Sequence, residues 1–168
     1  MSTTTSSSRD TIVGPTRFMI GFTEMFVSDI DEAKFADRLG TSINHPAFIL
    51  GHCAYYAGVC MQLLGGEIEL GEHEAALYEV GVECSDDASL YPAKDDAIAA
   101  FNERINTVID FLETCDEAVF AKSSEGVWFE NYFPTCGGGA VFMLVGHINF
   151  HLGQISAWRR IAGMGHAM

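Results

Sequence analysis

The sequence predicts an all-α protein, a four-helix bundle. Apolar residues recur at three- and four-residue spacings in four separate segments, and no stretch alternates polar and apolar at period two. The length agrees: 168 residues suffice for one domain with its own core and are too few for two of ordinary size. Repeats are absent, and four amphipathic helices of this length close most simply as a bundle.

The first 14 residues are rich in Ser and Thr, lack apolar periodicity and end at Gly14-Pro15, so residues 1–15 are expected to form a flexible tail ahead of a bundle domain over 16–165. In the first helix Phe18, Met19, Phe22, Met25, Phe26 and Ile30 share the helical period, and Gly40 closes the segment. The second opens on Asn44 as its cap, with Pro46 tolerated in the first turn. It carries Phe48, Ile49, His52, Tyr55, Tyr56, Val59, Cys60 and Leu63, and stops at Gly65-Gly66. A long acidic connection over 66–92, with a short helix near 73–80, leaves room for a crossover rather than a tight hairpin. The third helix follows Tyr91-Pro92 with the stripe Ile98, Phe101, Ile105, Val108, Leu112, Cys115 and Val119. The fourth starts after Cys136-Gly137-Gly138-Gly139 and carries Val141, Leu144, Ile148, His151, Ile155 and Trp158. Between these two helices, residues 123–139 form an aromatic-rich connection.

Charge excludes several functions. Nine Lys and Arg against 23 Asp and Glu give a net −14, which denies nucleic acid a basic footprint and disfavours docking on an anionic membrane. The five cysteines are odd in number and form no C-x-x-C pair, which argues against a disulfide framework and a four-thiolate zinc site. The polar start MSTTTSSSRD has no apolar h-region, and GGGAVFMLVG is well short of the roughly 20 residues that span a bilayer. A soluble, cytoplasmic protein acting on a small molecule is expected, and its apolar content makes a homodimer plausible.

The chemistry lies in histidines on inward stripes. His147 and His151, at i and i+4 of the fourth helix, leave the same face one turn apart and can share a divalent cation. His52 sits in the apolar stripe of the second helix, which faces the same axis. Three neutral imidazoles there would make a three-ligand site with an open position. Two readings stand at this point: a metal site, or three core histidines satisfied by hydrogen bonds within the chain. A metalloprotease helix would need Glu where Ile148 stands, and no histidine has Glu three residues before it, as a di-iron bundle would require.

The segment Asn44 to Tyr56 (NHPAFILGHCAYY) and the segment Gly146 to Arg160 (GHINFHLGQISAWRR) together resemble the DinB/YfiT-like superfamily of metalloenzymes. The resemblance implies an up-down-down-up bundle holding one divalent metal, most often nickel or zinc, with His52, His147 and His151 as its ligands. It also implies a transferase or isomerase that uses a low-molecular-weight thiol, while a metal-activated water at the open position would make the protein a hydrolase. No catalytic or cofactor-binding residue follows from it. The competing class is a non-enzymatic ligand-binding or dimerising bundle with structural histidines.

Neighbouring residues carry smaller expectations. Gln154, one turn after His151, is placed to orient that ring or to be a surface amide. Tyr55 is a candidate for the pocket, and Glu24 either brings a carboxylate near the site or sits at a solvated edge. His45 belongs to the helix start or to the pocket mouth. Trp128, Phe129, Tyr132 and Phe133 suggest a lid or ordinary packing. Cys136 is a helix-terminal thiolate or an inert thiol, and Arg159 and Arg160 serve the helix dipole or an anionic substrate.

Overall fold

A computed structural model describes residues 7–165 and 167, and residues 1–6 of the expected tail lie outside the described residues. The described chain is all-helical, with a single isolated bridge between Ser123 and Thr135 in place of any strand. None of its helices is long and apolar enough to cross a membrane.

Helix α1 spans Ser8–Val27, so residues 8–15 are helical and not tail. Gly14-Pro15 suggested a break because proline costs about 3 kcal/mol inside a helix. Tertiary ties outweigh that cost here. Ser7 and Asp10 form a reciprocal capping box, Arg9 Nε donates to Leu112 O at 2.8 Å, and Ile12 is buried. The short α2 (Glu32–Phe35) buries Phe35 and leads to a turn through Gly40 at positive φ.

Helix α3 (Pro46–Leu63) is capped by His45 and not by Asn44: His45 Nδ1 accepts from Phe48 N at 3.1 Å, with Pro46 in the first turn. It is buried on nearly every face, where the sequence suggested one stripe, because α3 touches α5, α7 and α4 on different sides. The long connection holds α4 (Glu72–Tyr78), followed by α5 (Lys94–Thr114). The expected stripe of α5 ends early, since Val119 belongs to a separate turn over Glu117–Ala121. Helix α6 (Cys136–Val141) contains the three glycines expected to precede it. A Cβ on Gly137 would come within 2.8 Å of the Phe120 carbonyl oxygen, so only glycine permits that approach. A π-helical turn, Phe142–Gly146, joins α6 to α7 (His147–Ile161) without a break.

Side-chain contacts set the helix directions. Arg9 near the start of α1 reaches the end of α5, and Lys94 Nζ donates to Ile30 O just past the end of α1. Asn149 meets Met19, and Arg159 meets Phe26, so α1 and α7 run together. Gly58 faces Arg104 and Gly66 faces Phe111, while Leu63 lies beside Gly139 and His52 beside His147. Hence α1 and α7 run one way, and α3 and α5 the other.

Arg159 closes the end of the bundle. Its side chain is 2% exposed, forms a two-pronged ion pair with Asp29 and donates to Phe26 O at 3.0 Å. It is therefore a structural tie and not available to a substrate, whereas Arg160 is exposed and bonds Ser156 Oγ. Asp29→Ala strands a buried guanidinium and is expected to destabilise the fold by about 2 kcal/mol. An unchanged urea midpoint would contradict this.

Candidate metal centre

The expected histidines converge. His52 comes from the middle of α3, and His147 and His151 from the first turns of α7. Their candidate ligand atoms all lie within 4.8 Å of one another. His147 Nε2 is 3.1 Å from His52 Nε2 and 3.0 Å from His151 Nε2.

Hydrogen bonds on the far side of two rings fix what those nitrogens offer. His52 Nδ1 lies 2.7 Å from the Tyr78 carbonyl oxygen. A carbonyl only accepts, so Nδ1 carries the proton and Nε2 presents a lone pair. His151 Nδ1 donates in the same way to Gln154 Oε1 at 2.9 Å, leaving its Nε2 unprotonated. Two lone pairs thus face His147 Nε2 in a buried place, where a cation satisfies them better than a neighbouring ring does. His147 Nδ1 has no hydrogen-bond partner among the described residues. The donor set fits a divalent transition metal, for which imidazole is a common ligand.

Burial keeps these rings neutral. Desolvation, reinforced by the neighbouring histidines, pushes His52 down to about 4 and His147 down to about 3. His151 is also lowered, chiefly by burial, against the opposing bond to Gln154. His45, remote from the cluster at the helix start, is lowered by burial to about 4. In the metal-free protein these shifts set a pH dependence. The unfolded chain binds protons better below about pH 6.5, so stability is complete above that pH and falls as pH drops toward 4. Each such group contributes a slope of up to about 1.4 kcal/mol per pH unit. Chelator-treated protein is expected to melt at steadily lower temperature between neutral pH and about pH 5. A flat Tm over that range would count against neutral, buried imidazoles.

A pocket of about 670 Å³ opens onto the cluster. Aromatic rings flank the histidines: Phe48 stacks on His52 with centroids 5.8 Å apart, and Tyr56 stands 4.8 Å from His52 and 5.3 Å from His147. The π turn brings Phe142, Met143 and Gly146 to the same wall as His147.

Several expected neighbours are elsewhere. Tyr55 is buried away from the pocket, and Tyr56 takes the place expected of it. Residues three and four after His52 differ by about 100° around the helix, and packing chose the second. Glu24 is exposed and does not line the pocket, because Thr23 and Val27 hold the inward face of α1. His45 caps α3, and Asn44 lines the pocket instead. Of the four aromatic candidates for a lid, only Trp128 borders the pocket; Phe129 is core and Tyr132 is 79% exposed. Cys136 is buried, with its thiol donating to Ser123 O. Tyr78 carries no signal in the sequence, since its contribution is a backbone carbonyl and leaves no trace in residue type.

A family model of the DinB superfamily matches residues 21–155. No curated protein matches the chain.

Proposed function

The chain belongs to the DinB superfamily, and on that footing we propose that His52, His147 and His151 hold one divalent metal, nickel or zinc, in a metal-dependent enzyme. The observation that carries this reading is the pair of Nδ1 hydrogen bonds, to Tyr78 O and Gln154 Oε1, which turn two Nε2 lone pairs onto the third ring. A metal held there supplies Lewis-acid polarisation of a substrate oxygen, or activation of water or a thiol. The reaction class is accordingly a hydrolase, or a thiol-dependent transferase or isomerase.

The chain's own residues perform the supporting work. Tyr78 O and Gln154 Oε1 hold two rings in the donor tautomer. Phe48 and Tyr56 pack against the His52 ring and restrict its movement. A core-histidine reading is less favoured, because His147 Nε2 carries at most one proton and can satisfy only one of the two lone pairs that face it.

Elemental analysis of the purified protein, followed by zinc or nickel reconstitution and calorimetric titration, tests the proposal. One equivalent per chain is expected. A content that stays well below stoichiometric after reconstitution overturns it.

A further inference from the structure

Beyond the histidines, the pocket wall has an uneven polarity. Phe48, Tyr56, Val80, Trp128, Phe142 and Phe150 make it apolar and aromatic, and among the described residues no lysine or arginine lines it. The charged wall residue is Glu79, the exposed residue that ends α4. It stands near the Tyr56 side of the pocket, where Tyr56 Oη accepts from Val80 N at 2.9 Å.

This arrangement discriminates by charge. A ligand with a carboxylate or phosphate beyond its metal-directed head would set that charge against aromatic rings with no cation to receive it, in a chain of net charge −14. An ammonium group meets the opposite condition, the Glu79 carboxylate, while the rings of Phe48, Tyr56 and Trp128 receive the apolar body. We infer that the pocket takes a small molecule with an aryl or alkyl body and an amine at its outer end, and that Glu79 determines this specificity. The inner end of the ligand rests on the metal reading above; the charge preference of the outer end does not.

Three probes with one body separate these effects: phenylbutylamine, phenylbutanol and phenylbutyrate. Their binding is read at neutral pH and low salt, in chelator-treated protein, from the fluorescence of Trp128. Trp158, the other tryptophan, is fully buried and serves as a constant background. An exposed ion pair contributes up to about 1 kcal/mol, so the amine is expected to bind about fivefold tighter than the alcohol, and the acid more weakly than the alcohol. Glu79→Gln should bring the amine to the level of the alcohol while leaving the affinity for the alcohol unchanged. Added salt should narrow the gap in the parent protein. An acid that binds as well as the alcohol, an amine advantage that survives Glu79→Gln, or no binding of any probe at millimolar concentration overturns the inference. Because the series uses metal-free protein, its outcome is independent of the reconstitution experiment, and either reading can fail alone.

Discussion

His147→Ala is expected to abolish stoichiometric metal binding while leaving the chain folded. His147 Nε2 is the atom that both other Nε2 atoms approach, at 3.1 and 3.0 Å, so its loss leaves two donors on different helices with nothing between them. Removing a residue that merely orients a ligand costs 10- to 100-fold in affinity, so loss of a ligand should cost at least about 100-fold. The folded state loses less. His147 is only half-buried and its Nδ1 has no partner among the described residues, so truncation is expected to cost about 1 kcal/mol in the metal-free protein. Two measurements separate the effects. Zinc should raise the Tm of the parent protein, by the equivalent of about 2.7 kcal/mol at a hundredfold excess over Kd, and should leave the Tm of the variant where it was. If the variant retains tight one-to-one binding, the metal lies elsewhere.

Gly51→Ala carries the second large effect. A Cβ at this position would sit 2.2 Å from Tyr78 Cζ and 2.3 Å from Cε1, closer than any packing tolerates. Helix α3 is buried on nearly all sides and cannot shift, so the Tyr78 ring must move. Its backbone carbonyl is the acceptor that fixes the tautomer of His52, at 2.7 Å. Alanine is the better helix former by about 1 kcal/mol, but overpacking against a buried aromatic costs about 1–3 kcal/mol and loss of the aromatic packing more. The balance is destabilising, by about 2 kcal/mol. Metal affinity should fall by about 10- to 100-fold as His52 loses its orientation. Nitrogen NMR of His52 should show the Nε2-protonated tautomer appearing in the variant. Adding Tyr78→Ala should relieve the clash, so that the double variant is more stable than the two single effects would sum to. Additive effects, with unaltered metal affinity, would show that α4 has no part in positioning the histidine.

Much of this centre is legible in the sequence. The i, i+4 pair of His147 and His151 needs only the helical period to be placed on one face, and the apolar neighbours of His52 mark it as inward. Gln154 follows from the same geometry, and the structure places its Oε1 against His151. The misplaced residues share a cause. The sequence pattern puts Tyr55, Glu24 and Asn44 each at a face or a cap that a neighbour occupies, namely Tyr56, Thr23 and His45. Apolar periodicity leaves an uncertainty of about one residue, or about 100° of helix, and packing resolves it. The start of α1 is illegible for a different reason: Ser, Thr, Gly and Pro argue locally against a helix, and the contacts of Arg9 that hold it come from over 100 residues away.

The sequence by itself determined that the chain is helical and that three histidines lie on buried stripes, because both follow from a local period of 3.6 residues. Only the tertiary structure decided which nitrogen of His52 faces inward, whereas the bond to Gln154 that turns His151 is local to its helix. The orientation of His52 depends on a carbonyl in the long connection and on the close approach that Gly51 allows. Each is a matter of backbone position between segments remote in sequence. A side-chain pattern marks where a helix is buried, and does not specify the backbone that meets it.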